Sequence, residues 1–513
     1  MTAQSENTKR IARNTLMLYF RMLFGMLVSL YTSRLVLQAL GEEDYGIYNV
    51  VGGVVAMFSL ISASLSSSVS RFLTFELGRG NEEGLKRIFS TSLSIHLVLA
   101  LVILVLVETV GVWFLNSHMT IPPERLGAAN WVLHASAFTF ATNLLSVPFN
   151  ASIIAHERMT AFAYIGILDI ILQLLIVLKV AWGAAHSDRL ILYAWLIAVK
   201  GALMQWIYWA YCRRNFAECR FRIRFDPQYW RSMSSFAGWN FIGCTAGLLK
   251  DQGVNILLNL FFGPIVNAAR GIANTVNSVL ASFSNNFMTA LNPQITKSYA
   301  AGERDYMFSL VERGSRFSYY ILLVVALPML FETEFVLNLW LKSYPAHTVN
   351  FVRLILLVSL CDILSNTLIN LQQATGRIRN YQIVVGGMLL MNFPLSYLCL
   401  REGSAPEATM LVALGVSVCC LMLRLLFLRS MVGLSVRRYL RRVCLNVLLV
   451  SVAAAVVPLA VSMPLEDGFL RFVLVGVSAV LGTMTSIYWV GCTPGERLFI
   501  RDRAAAVARK LMR

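Results

Sequence analysis

The chain has 513 residues, of which 57% are hydrophobic and only 14% charged, with a mean hydropathy of +0.65; this balance excludes a soluble enzyme. The formal net charge of +17 does not point to nucleic acid, because Lys and Arg alternate with the apolar runs instead of gathering on one soluble face. The apolar residues fall into about fourteen runs of spanning length, so the sequence describes an all-α integral membrane protein of about fourteen transmembrane helices.

A basic stretch with Lys9, Arg10 and Arg13 precedes a first span predicted over 14–38. That run is too long for a signal-peptide core and has no convincing small-residue cleavage site, so it is expected to remain as the first helix. It contains Arg21 and Arg34, and the acidic loop Glu42, Glu43, Asp44 separates it from a second span over 45–67. Arg71, Arg79, Lys86 and Arg87 precede a third span over 89–115. Spans over 127–149, 160–183 and 189–211 complete the first half, with Asp169 in the fifth and Lys200 in the sixth. A loop rich in arginine then leads to spans over 234–261 and 264–291, which hold Lys250, Asp251 and Arg270. Four more follow over 315–333, 349–371 (with Asp362), 381–399 and 408–428. The basic linker SVRRYLRRV at 435–443 introduces the last two, over 443–463 and 469–491. These elements divide the chain into 1–225, 226–430 and 431–513.

Counted alternately from inside, one side of the membrane holds only Arg34, Arg125, Arg189, Lys342, Arg401 and Arg471 at its loops and helix ends. All other loop cations fall on the opposite side, which the positive-inside rule makes cytoplasmic for both termini. The nine cysteines show no disulfide framework and no metal-spaced pair, and the six histidines are isolated. No cofactor or metal is expected.

Sliding the chain against itself by 222 positions sets LGEEDYGIYNVVGGVVAMFS at 40–59 over FGPIVNAARGIANTVNSVLA at 262–281, with Gly41 on Gly263. The same shift puts Gly80 on Gly302, each at a polar break before the next helix. Nearby shifts match Glu108 with Glu334 and Asn150 with Asn370. The order and near-constant offset argue for two copies of a six-helix unit. An even helix number per copy implies parallel repeats related by a pseudo-two-fold along the membrane normal, with two C-terminal helices added.

At these residues the chain resembles the polysaccharide-transporter branch of the multidrug, oligosaccharidyl-lipid and polysaccharide exporter superfamily, the Wzx-like flippases. The likeness is carried by LGEEDYGIYN, Ser70-Arg71, FGPIVNAARGIANTV, Pro293, VLNLWLKSYP at 336–345 and TPGER at 493–497. The resemblance implies a V-shaped pair of six-helix lobes around a cationic cavity in the cytoplasmic (inner) membrane. Its cargo would be an undecaprenyl-diphosphate-linked oligosaccharide, a surface-polysaccharide or lipopolysaccharide (O-antigen) repeat, flipped from inner to outer leaflet. Membrane lipids and polysaccharide-assembly proteins are the implied partners. Relatives use arginines in helices 1, 2 and 8, for which this chain offers Arg21, Arg71 and Arg270.

An ionised side chain near the bilayer centre costs at least about 2.5–3.5 kcal/mol, so such residues face a partner, water or a ligand. Arg21, Arg270, Lys250 and Lys200 are the expected substrate-binding cations, because Arg meets a diphosphate bidentately and Lys meets it as a point charge. Asp169, Asp251 and Asp362 are expected counter-charges or sites for a coupling proton or sodium ion. Arg353, Arg424 and Lys179, near helix ends, read as snorkelling. Asn274, Asn277, Asn285 and Asn286 offer contacts to sugars or to neighbouring helices. Two transport rivals stand beside this reading, a cation-coupled multidrug exporter and a lipid II flippase. The enzymatic rival is a membrane glycosyltransferase or polymerase using Glu42, Glu43 and Asp44.

Overall fold

The computed structural model describes residues 3–56, 58–119, 121–183, 188–220, 226–341, 343–498 and 501. Among them every regular element is a helix and none a strand. The bilayer demands this, since hydrocarbon offers no water to backbone N–H and C=O groups and a helix satisfies them within one segment. Eleven helices of the described residues are long and apolar enough to cross a membrane, and they coincide with eleven of the expected spans. The other three, 45–67, 234–261 and 264–291, are largely helical too. Their Ser, Asn, Gly and charged residues make them more polar, so apolar length alone yields eleven spans instead of fourteen.

The chain forms two compact units, Met1–Cys244 with Thr296–Glu303, and Thr245–Ile295 with Arg304–Arg513. The first contains α1 (Ala3–Ala56), α2 (Ser59–Arg79), α3 (Glu82–Leu106), α4 (Val112–His118), α5 (Leu126–Ala155), α6 (Met159–Trp182), α7 (Arg189–Asn215) and the start of α8 (Pro227–Phe262). Its centre is α5, where Ala128, Ala129, Ala135, Ala137 and Ala141 are buried. Small side chains let neighbouring helix backbones come close where lipid supplies no hydrophobic drive. Helix α2 is fastened to α8 by Ser64 Oγ donating to the Ala237 carbonyl (2.5 Å) and Ser68 Oγ to that of Met233 (3.0 Å).

The second unit continues through α9 (Pro264–Ala300), α10 (Arg304–Phe331), α11 (Thr333–Leu341), α12 (Thr348–Thr375), α13 (Arg379–Leu390), α14 (Asn392–Arg401), α15 (Ala408–Val432), α16 (Val436–Tyr439), α17 (Leu445–Ser462) and α18 (Phe469–Ser486). Helix α10 holds the C-terminal helices by a polar seam. Tyr439, fully buried, donates to the Leu364 carbonyl (2.7 Å) and lies 2.8 Å from Ser315 Oγ. Arg316 donates to the Gly491 carbonyl (2.7 Å) and to Glu496 (2.8 Å), which also pairs with Arg313 (3.3 Å). The TPGER segment is therefore an anchor, and the basic linker is another: Arg438 and Arg442 close on buried Glu312 at 2.5 and 3.5 Å.

The repeat is visible at atomic detail. Gly41, Gly263, Gly80 and Gly302 all have φ between 68° and 81°, the left-handed region that costs other residues about 1–2 kcal/mol. After α2, Gly80 N–H bonds Leu77 O and Asn81 N–H bonds Glu76 O; after α9, Gly302 N–H bonds Tyr299 O and Glu303 N–H bonds Ser298 O. Both are Schellman caps, and every partner is displaced by the same 222 positions. Glu108, in the π turn after α3, pairs with His134 of α5, and its match Glu334 pairs with Arg353 of α12 at 3.5 Å. Gly80→Ala and Gly302→Ala are each expected to lower unfolding stability by about 1–2 kcal/mol. Gly415→Ala, inside α15 with open space around it, is expected to be neutral or stabilising in the same thermal-shift measurement.

Candidate transport site: the intramembrane charges

In the first unit, α6 and α7 meet through Asp169 and Lys200. Lys200 Nζ lies 2.9 Å from Asp169 Oδ1 and donates to Gln173 Oε1 at 3.1 Å; Gln173 in turn donates to the Tyr193 hydroxyl at 3.2 Å. Asp169 and Gln173 are four residues apart, one turn of the same face, a spacing that would have flagged Gln173 in the sequence. Helix α1 carries Arg21 over the ring of Phe162, 4.6 Å from its centroid. Gly166 leaves the notch that holds it, since any Cβ there would collide with the Arg21 side chain. Among the described residues no carboxylate lies within ion-pair distance of Arg21. Arg71 stands over Phe72 and Phe75, at 4.5 and 4.6 Å.

In the second unit, Lys250 and Asp251 are neighbours on α8 but point about 100° apart around the helix, so each takes its own partner. Lys250 reaches Asp362 of α12 (3.8 Å) and Asp251 reaches Arg270 of α9 (3.8 Å). Arg270 is buried, donates to the Asp251 carbonyl at 2.9 Å and also bonds the Asn255 side chain. Its neighbours Ala268, Ala269 and Gly271 give the guanidinium room. Arg424 departs from the snorkelling expected of it: it is buried and its Nε donates to the Tyr381 hydroxyl at 3.0 Å. Its partner lies on α13, a contact that sequence spacing does not show. Arg353 pairs with Glu334, and Lys179 is exposed. Asn277 accepts from Ser359 at 2.5 Å, whereas Asn286 bonds the Ser282 carbonyl of its own helix.

One asymmetry runs through all three mid-membrane ion pairs. The cation is covered and the acid is open: side-chain exposures are 15% and 42% for Lys200 and Asp169, 11% and 43% for Lys250 and Asp362, and 3% and 64% for Arg270 and Asp251. Long basic side chains bury their stems along apolar helices, while a short carboxylate keeps its hydration where it can. An approaching anion therefore reaches Arg21 without displacing a carboxylate, but reaches Lys200, Lys250 or Arg270 only by competing with an aspartate.

At a helix entry of each unit sits a polar clasp. Arg125, entering α5, grips Asp44 (Nε to Oδ1 2.8 Å, Nη2 to Oδ2 2.5 Å) and Asp188 (2.5 Å). In the second unit His347, entering α12, meets Glu407 at 2.7 Å, and Asn350 donates to the same carboxylate. Arg125 and His347 are 222 residues apart, and Asp188 and Glu407 are 219 apart, so this is the same fastening in both copies. Asp44 is thus engaged by an arginine that locks the loop, a use that competes with metal binding. The Glu42 side chain lies outside the described residues. Burial alone would raise Asp188 and Glu407, but the bonds to Asp188 from Arg125 and backbone N–H groups, and to Glu407 from Asn350 and His347, prevail and hold both carboxyls below their usual range.

A chain with eleven described helices long and apolar enough to cross a membrane, and ion pairs within them, belongs to the class of helical multi-pass membrane proteins, and comparison with known proteins gives its family. Residues 8–299 match the family model described as polysaccharide biosynthesis protein; the chain belongs to that family. It is 21% identical over 309 residues to the uncharacterized membrane protein EpsK of Bacillus subtilis (strain 168), a match that spans 60% of each chain. Its fold is that of the MOP superfamily. A transporter of that superfamily from Pyrococcus furiosus superposes with a TM-score of 0.71 at 12% identity, covering 83% of this chain and 96% of the other. An outward-facing multidrug resistance MATE family transporter gives 0.69 at 12% identity, with the same coverages. By their descriptions, both of these structural neighbours are transporters.

Asp169→Asn strands Lys200 in a low-dielectric setting and is expected to cost about 2 kcal/mol or more in thermal denaturation, whereas Asp169→Leu combined with Lys200→Met is expected to restore most of it. For the clasps, a carboxyl whose folded-state pKa is depressed stabilises the fold above its unfolded value, about 4, and that contribution is lost as pH falls through the folded value. The thermal midpoint should therefore drop between about pH 5 and pH 3, and Arg125→Gln should lower it at pH 7 while flattening the acid limb.

Proposed function

We propose that this transporter moves an undecaprenyl-diphosphate-linked oligosaccharide from the inner to the outer leaflet of the cytoplasmic membrane, with both chain termini cytoplasmic. Arg21 carries the reading: a partly accessible guanidinium within a span, held over an aromatic ring and without a carboxylate partner among the described residues, is suited to a mobile anion. A diphosphate supplies the acceptor oxygens that a guanidinium meets bidentately, and family membership supports a saccharide cargo. A drug cation would be repelled there.

Lys200, Lys250 and Arg270 are the further cations of the proposed path, and Asp169, Asp362 and Asp251 hold them while no cargo is bound. Neutralising any of these acids by a proton, or screening it with sodium, would release its cation toward the headgroup, which is how a coupling ion would act without chemistry on the cargo. The reaction is translocation, with alternate exposure of these cations to the two faces and no covalent step.

The discriminating experiment measures export of lipid-linked oligosaccharide in cells or proteoliposomes. Arg21→Ala is expected to reduce it by about tenfold or more, one lost charge-assisted contact being worth about 1.5–3 kcal/mol. Gly166→Ala, which keeps every charge but evicts Arg21 from its notch, should reduce export as well, with insertion and thermal stability intact. Normal export in both variants, together with loss on Glu43→Gln, would favour the external-loop enzyme instead.

A further inference from the structure

A cleft of about 420 Å³ lies wholly within the first unit, walled by α2, α3 and α8. Its lining follows helical periodicity on each wall, with Ser64 on α2, Val98 and Val102 on α3, and Ser234, Gly238 and Phe241 on α8. The two serines are its polar members, and Ser64 is already committed to the Ala237 carbonyl. Gly238 has open space where a side chain would stand, so the missing side chain on α8 is what makes the cleft.

We infer that this cleft holds the acyl chain of a phospholipid from the leaflet on the basic side of the membrane. The inference goes beyond the proposed transport and rests only on which side is basic. Three features select this occupant. The rim belongs to a lipid-facing surface, because Leu97, Val98, Leu101, Val102 and Val105 of α3 are all exposed and apolar. The cleft runs from Trp230 to Phe241, eleven residues of helix or about 16 Å, which is about half of a 30 Å hydrocarbon core and so the depth of one leaflet. Its shallow end carries Tyr229 and Trp230, aromatics of headgroup depth, with Arg231 next in the chain and Arg87 held against Asp226 at the start of α8, the cations near which a lipid phosphate would rest. Arg87 pairs there with Glu83 (2.8 Å) and Asp226 (3.8 Å), which fixes α3 to the start of α8 at the mouth. A polyisoprenoid tail is much longer than one leaflet and would fill the same space only in part.

The test reconstitutes the full chain with phosphatidylglycerol bearing a photoactivatable diazirine on its acyl chain, and in parallel with a diazirine polyprenyl phosphate, and maps the labelled peptides. The phospholipid probe is expected to label peptides containing Val98, Val102 and Phe241 about fivefold above the open lipid face at Leu448 and Val452, a difference of about 1 kcal/mol. Filling the cleft by Gly238→Phe, or independently by Ser234→Phe, should remove that excess and leave the labelling of Leu448 and Val452 unchanged. Uniform labelling of the unaltered chain, an excess that survives both fillings, or cleft labelling by the polyprenyl probe alone would overturn the inference. Because the readout is a labelling map, it stands or falls independently of export.

Discussion

Every feature of this protein is shaped by the cost of leaving polar groups without partners in hydrocarbon. For the backbone the solution is uniform helix. For ionised side chains it is individual, and the three mid-membrane aspartate–cation pairs share one solution, a cation sunk among helices with its stem packed and a carboxylate left at the accessible end. Such a pair is stable yet poised, since anything that neutralises the exposed acid leaves a covered cation in need of an anion. Arg21 lies outside this scheme, over Phe162 in the notch of Gly166.

The two copies have kept their fastenings and let their charges diverge. The Schellman caps at Gly80 and Gly302 correspond bond for bond, and the clasps of Arg125 with Asp188 and of His347 with Glu407 occupy equivalent helix entries. The intramembrane pairs do not correspond: Lys200 joins α7 to α6, whereas Lys250 joins α8 to α12. Turns and clasps answer to the geometry of a repeated unit, which tolerates little change. Charges in the spans answer to whichever neighbouring helix offers a partner. The enzymatic alternative loses Asp44 to the first clasp.

Much was determined by sequence alone. Apolar length gave the all-helical membrane class, and the 222-residue offset gave the repeat down to its left-handed glycines, because backbone breaks in lipid need residues of a recognisable kind. The family followed from motifs at those same breaks, and the deep charges could be named, since an ionised residue inside an apolar run is conspicuous in any register. Only the tertiary structure decided how each charge is satisfied. Lys250 and Asp251 are adjacent in sequence but serve different helices, and Arg424 turns inward to Tyr381. The reason is physical: a helix fixes the direction of its own side chains, but the partner found in that direction is set by the packing of other helices, often more than a hundred residues away.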